Sequence, residues 1–303
     1  MLRHRLLYGA LMIAAVAAIA GLDGRWAPHF PILFAVVTLL TWRAADELTT
    51  MFSEHVLRLR ARRLAIWGSV AIVWANWLCT FAGADAAEHL NLGMPSMKPA
   101  LAVFVGATMW AFVLTAWRYR QPGDAVLGIS GYLIVFFYIG LLASFFVQLR
   151  WLGEGRGTLG APALLLAAFT PKMCDTGAYF TGRLLGRNPL WPALSPKKSI
   201  EGAVGGLLLS MATAYLLGAR PVPGLSERPL LQPWAAIAYG LAVGAAGMLG
   251  DLMESLLKRD CERKDSANAI PGFGGLLDII DSVLFSAPVS YLLLVALRHW
   301  TQG

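Results

Sequence analysis

Apolar residues in this chain gather into successive runs close to the length of about 20 residues that carries a helix across a bilayer core. The runs lie near 6–22, 28–42, 64–82, 100–117, 125–147, 161–180, 202–218, 234–252 and 282–298. Backbone polar groups in hydrocarbon must be satisfied within the segment itself, so such runs are expected to be helices, with no strands beyond a short hairpin in a loop. Composition agrees, because 57% of the residues are hydrophobic and 14% charged, against about 25% charged in a soluble domain. The expected fold is an all-α integral membrane protein, a polytopic bundle of about nine transmembrane helices. Residues 1–150 would form the N-terminal transmembrane helices, about five spans, and 151–303 a C-terminal catalytic region of about four. The weakest runs are 28–42, which is short, and 161–180, which holds Lys172 and Asp175.

The net charge of +7 lies in patches between the runs rather than along one stripe, which fits topology signals and lipid headgroups and argues against a nucleic-acid partner. With the N-terminus in the cytoplasm, Arg3, Arg5, Arg43, Arg58, Arg60, Arg62, Arg63, Arg118, Arg120, Arg183, Arg187, Lys197, Lys198, Lys258, Arg259, Arg263 and Lys264 fall inside, and only Arg25, Lys98, Arg150, Arg156, Arg220, Arg228 and Arg298 outside. The arrangement obeys the positive-inside rule and suits a cell (inner) membrane protein with its site near the cytoplasmic face. Arg3-His4-Arg5 followed by an apolar run ending in Gly21 also fits a cleavable signal peptide, which would leave the later topology unchanged. Cys79, Cys174 and Cys261 stand far apart and form no zinc or disulfide pattern.

Ionisable residues are costly in hydrocarbon and mark function when they occur there. Asp46, Glu47 and Glu54 are expected on a solvated interfacial helix, and the other charges of interest come later in the chain. Lys172, Asp175 and Tyr179 share a helical face, either as a pair that neutralises itself or as part of a ligand site. Ser195 to Gly202 form a basic loop in which Ser199 can cap the next helix, Glu201 suits its first turn, and Lys197 and Lys198 offer charge to phosphates. Asp251, Glu254, Ser255 and Lys258 follow at i, i+3, i+4 and i+7, and Asp278 and Asp281 at i, i+3. Carboxylate-bearing helix ends that face each other make a hard-oxygen site suited to Mg2+. The intervening Pro271-Gly272-Phe273-Gly274-Gly275 turn can present backbone amides to a phosphate. Metal-binding acids, phosphate-binding bases and glycine turns point to phosphoryl or nucleotidyl transfer, although neither a Walker A loop nor a dinucleotide fingerprint is present. A salt-bridged surface is the plain alternative.

The run from Ser255 through Lys258-Arg259, Lys264-Asp265, Pro271-Gly272, Gly274-Gly275 and Asp278 to Asp281-Ser282 resembles the signature of the phosphatidate cytidylyltransferase (CDP-diacylglycerol synthase) family, and likeness extends over about 170–285. The resemblance implies a Mg2+-dependent transfer of CMP from CTP to phosphatidic acid, giving CDP-diacylglycerol and pyrophosphate in phospholipid biosynthesis. It implies Asp251, Asp278 and Asp281 as metal ligands with Ser255 beside them. Asp175, Lys197, Lys198, Lys258, Arg259, Gly274 and Gly275 would meet the substrates. It leaves room for a second, monovalent cation and for a homodimer among membrane lipids. Two positions depart from the family pattern, where a histidine is usual at Phe273 and an arginine at Ile279. The rival readings are a CTP-using enzyme acting on another lipid, and an altered paralogue serving as scaffold or transporter.

Overall fold

The computed structural model describes residues 19, 21–52, 59–78, 80, 97–152, 159–223, 225–226, 228–267 and 274–301. Eight helices lie over eight of the nine apolar runs. They are α1 (Pro31–Phe52), α2 (Leu59–Trp74), α3 (Lys98–Arg118), α4 (Asp124–Trp151), α5 (Gly160–Leu185), α6 (Ile200–Gly218), α7 (Pro233–Asp260) and α8 (Leu277–Thr301). Most of the run near 6–22, with the signal-peptide reading, and Glu54, Arg58, Cys79, Pro271, Gly272 and Phe273 lie outside the described residues.

Five of the helices, α3, α4, α6, α7 and α8, are long and apolar enough to cross a membrane. The protein is therefore an all-α membrane protein. Helix α2 is 16 residues long, while α1 and α5 carry acidic and basic residues within their spans. Only 11% of the apolar window of α3 is buried, and Met109, Trp110, Phe112 and Trp117 project from it, as suits a helix bathed in lipid.

Local chemistry explains the boundaries. Buried Asp23, in the turn Asp23–Trp26, accepts from the amides of Ile32 and Leu33 at 3.0 Å each and so caps α1. Proline occupies an early position of α3 and of α7, where a missing N–H costs nothing. Between α5 and α6 the strands β1 (Pro189–Trp191) and β2 (Ser195–Ser199) pair antiparallel as a small hairpin. Ser199 then caps α6 by accepting from the Gly202 amide at 3.1 Å. The 3-10 turn that follows α2, Ala75–Trp77, is joined to α4 across the apolar interior by a polar chain from Gln148 to Asn76 (2.8 Å) and from Asn76 to Ser144 (3.0 Å).

The C-terminal helices pack through glycine. A Cβ added at Gly206 would lie 2.7 Å from the Cys174 carbonyl oxygen, one at Gly240 2.6 Å from Met211 Cα, and one at Gly247 2.7 Å from Pro171 Cβ. Helices α5, α6 and α7 thereby close to backbone contact, and Gly250 brings α8 against α7 in the same way. Their alternating course brings the C-terminal ends of α5 and α7 and the N-terminal ends of α6 and α8 to one end of the bundle. Replacing Gly206 by leucine should push α5 from α6 and destabilise the fold by about 1–3 kcal/mol; thermal unfolding in detergent should show a lower midpoint, and an unchanged one would contradict this packing.

Candidate active site

Helix periodicity puts Asp251 and Glu254 one turn apart on α7, and the glycine seam lets α8 bring Asp281 against them. A Cβ at Gly250 would sit 2.9 Å from the Asp281 carbonyl oxygen. One oxygen from each of Asp251, Glu254 and Asp281 lies within 4.8 Å of the others. Helix α5 reaches the same group, because Ser282 donates to Asp175 at 2.9 Å and Lys172 approaches both Asp175 (3.1 Å) and Asp281 (3.6 Å). Lys198, from β2, pairs with Asp251 at 2.5 Å. Lys258 bridges Glu254 (2.7 Å) and Asp278 (2.6 Å).

Five carboxylates, on Asp175, Asp251, Glu254, Asp278 and Asp281, share ion pairs with the three ammonium groups of Lys172, Lys198 and Lys258. With all five ionised, two negative charges would be left over, the deficit a divalent ion would cancel. Glu254 is 1% exposed, and its Oε1 has no hydrogen-bond partner among the described residues. An orphaned, buried carboxylate oxygen beside two other acid oxygens is the donor set a hard cation would complete, so the residues fit a divalent metal.

A cavity of about 490 Å³ opens beside this group, within the range of small-molecule sites. Asp175, Tyr179, Gly182 and Arg183 of α5, Leu190, Lys197, Lys198 and Ser199 of the hairpin, Gly202 and Ala203 of α6, and Met248 and Asp251 of α7 line it. Arg183 donates to the Tyr179 hydroxyl at 3.1 Å. Glu201 pins the loop before the hairpin by accepting from the amides of Arg187 (3.1 Å) and Asn188 (3.3 Å). Asp175 and Asp251 belong to both the cavity wall and the carboxylate cluster.

The expected residues separate into two groups. Asp175, Lys198, Asp251 and Asp281 converge with Lys172 and Glu254, and Lys197 faces the cavity. Asp278 lies outside the three-carboxylate group: besides Lys258 it accepts from the Ser266 amide (3.0 Å), the Ser266 hydroxyl (2.8 Å) and the Gly275 amide (2.7 Å). The Gly275 amide is thus paired inside the protein, and those of Leu276 and Leu277 go to Glu47 at 3.1 and 2.9 Å. Gly274 has a φ of 89°, a backbone conformation that glycine adopts freely. Arg259 is exposed and donates to the Arg263 carbonyl, Ser255 is half-buried, and Ile279 is buried.

The expectation of a solvated helix around Glu47 is corrected. Glu47 is 2% exposed, because the turn before α8 folds over it, and Asp46 is partly buried between Arg43 and Arg62. Tyr138 was also without a signal in the sequence. It sits in a π-helical turn of α4, Phe136–Leu141, its hydroxyl is buried with no hydrogen-bond partner among the described residues, and Asp281, Glu254, Asp251 and Asp278 act on it electrostatically. Turns of this kind often occur at functional sites.

Comparison with known proteins gives this arrangement its chemistry. The sequence matches the Cytidylyltransferase family over residues 3–297. The chain belongs to the cytidylyltransferase family. It is 34% identical over 206 residues to the phosphatidate cytidylyltransferase of Bacillus subtilis (strain 168), covering 67% of this chain and 69% of that one. With the phosphatidate cytidylyltransferase of Staphylococcus aureus (strain COL) it shares 35% identity over 162 residues, 52% of this chain and 56% of the relative. The Staphylococcus epidermidis (strain ATCC 12228 / FDA PCI 1200) protein of that name shows 34% over 158 residues, with the same shares. As a cytidylyltransferase the protein is a nucleotidyl-transferring enzyme.

In this cytidylyltransferase Lys258 is the sole ion-pair partner of Glu254 among the described residues. Lys258→Met should therefore leave two buried carboxylates facing each other and cost about 3–5 kcal/mol. Unfolding in detergent should show that loss, and adding Glu254→Gln and Asp278→Asn to the same chain should recover part of it; a stability unaltered by Lys258→Met would contradict the bridging role.

Proposed function

We propose that this enzyme transfers CMP from CTP to phosphatidate, forming CDP-diacylglycerol and releasing pyrophosphate, at the cytoplasmic face of the cell membrane. The observation that carries the reading is the shared wall: the three-carboxylate group opens onto a basic cavity through Asp251. Membership of the cytidylyltransferase family and relatives named for phosphatidate support the choice of substrates. A bundle with five membrane-crossing candidates gives a diacyl substrate access from the bilayer.

Lys197, Lys198 and Arg183 hold the triphosphate in the cavity. Lys198 stands between Asp251 and the cavity, so its ammonium can exchange carboxylate for phosphate as a compact point charge. Lys172 holds Asp281 and Asp175 in place from α5. A non-bridging oxygen of the lipid phosphate attacks the α-phosphorus of CTP. One P–O bond forms as the bond between the α-phosphorus and the oxygen bridging to the β-phosphate breaks, and the electron pair leaves with pyrophosphate. The phosphate monoester is already anionic, so the step needs no strong base, and catalysis rests on positioning and charge stabilisation. Asp251, Glu254 and Asp281 would hold Mg2+, which when bound supplies neutralisation of charge on the departing pyrophosphate. Asp278 acts one turn away by fixing Lys258 and the signature turn.

The test is an assay with α-labelled CTP and phosphatidate in detergent micelles. Label should enter the lipid as CMP, EDTA should stop the reaction and Mg2+ restore it, and Asp251→Asn or Asp281→Asn should lower the rate about 10²–10³-fold. A panel of other lipid phosphates and polyprenols decides the acceptor. Labelling of one of those instead of phosphatidate would replace the substrate, and a rate unaffected by both substitutions would remove the proposed catalyst.

A further inference from the structure

Glu47 belongs to α1, far from the signature region in sequence, yet its carboxylate is a hub for that region. Oε1 accepts from the Leu276 amide at 3.1 Å and meets Arg43 Nε at 3.1 Å. Oε2 accepts from the Leu277 amide at 2.9 Å and lies 3.2 Å from the Ser266 hydroxyl. That hydroxyl also reaches Asp278 at 2.8 Å, so Ser266 spans the two carboxylates. Gly275 lies directly over the hub, where an added Cβ would collide with Ser266 Oγ and Glu47 Oε2.

The first amides of a helix have no partner inside it. Here those of α8 begin at a buried turn, and an acid at a helix N-terminus is favoured by the helix dipole as well as by the hydrogen bonds. Burying a carboxylate is costly unless it is paired, and Glu47 meets that cost with two amides, a hydroxyl and one guanidinium. The same amides fix where α8 starts. Asp278 and Asp281 lie on its first turns, so the position of Glu47 sets theirs.

We infer that Glu47 is a positioning residue for the transfer reaction, acting from α1 by anchoring the signature turn and the start of α8, and thereby the places of Asp278 and Asp281. The inference rests on the proposed function, and two readouts separate the two. Glu47→Gln keeps the side chain's size but turns one acceptor into a donor facing donors and removes the pairing with Arg43. In that variant, hydrogen exchange of the amides in 274–282 should accelerate while the middle of α7 keeps its wild-type protection. In the lipid assay kcat should fall about 10²-fold with the KM for CTP little changed, as misplacement of reacting groups would do. The Mg2+ concentration for half-maximal rate should rise, and Glu47→Asp should recover part of the loss.

A purely structural role predicts a lower melting temperature with wild-type kcat and Mg2+ response in the folded fraction, and that result overturns the inference. Unchanged exchange over 274–282 overturns it too. If Glu47→Gln does not fold, Ser266→Ala carries the test: faster exchange at the same amides with lower kcat supports the anchor, and wild-type values in both oppose it. A wild-type enzyme that makes no CDP-lipid would instead sink the functional reading, with the exchange experiment still deciding the anchor.

Discussion

A bundle built for hydrocarbon must compensate every charge it takes into its interior, and here that requirement shapes one whole end of the molecule. Five carboxylates are brought together by α5, α7 and α8, and three lysines divide them among themselves. Without the glycines of α6 and α7 the helices would stand too far apart for those pairs to form. Close backbone approach is thus the condition for the electrostatics, and the electrostatics are the condition for keeping so many acids together between helices. What the lysines leave uncompensated is what would suit the site to the metal-assisted phosphate chemistry proposed for it.

Asp278 and Asp281 show how one turn of helix divides labour. Asp281 points to α7 and α5 and joins Asp251 and Glu254. Asp278 points to the loop behind, where Lys258, Ser266 and Gly275 take up its oxygens. The pair therefore links the carboxylate cluster to the turn that precedes α8. Glu47 extends that link to α1, so residues from the first half of the chain hold part of the signature region.

The helices were legible because apolar runs of bilayer length have few other solutions. Their ends were less so. The run near 234–252 becomes a helix reaching Asp260, and the run near 282–298 one beginning at Leu277, because the charged signature residues continue the helix with their polar face turned to the cluster. Hydropathy marks the lipid-facing length and misses this extension. Asp251 and Glu254 could be placed on one face from spacing alone, but which acids converge across helices depends on packing. That is why Glu254 joins Asp281 directly but meets Asp278 through Lys258. Glu47 had no local signal at all: its partners Leu276 and Leu277 lie 229 and 230 residues along the chain.

The proposed chemistry requires that Asp251, Glu254 and Asp281 together hold a divalent ion. Electron paramagnetic resonance of Mn2+ added to the purified protein in lipid nanodiscs measures this without any substrate. One bound ion per chain should be seen in the wild type and displaced by Mg2+, and binding should be lost when all three acids are replaced by their amides. Undiminished Mn2+ binding in that triple variant would contradict the proposed centre.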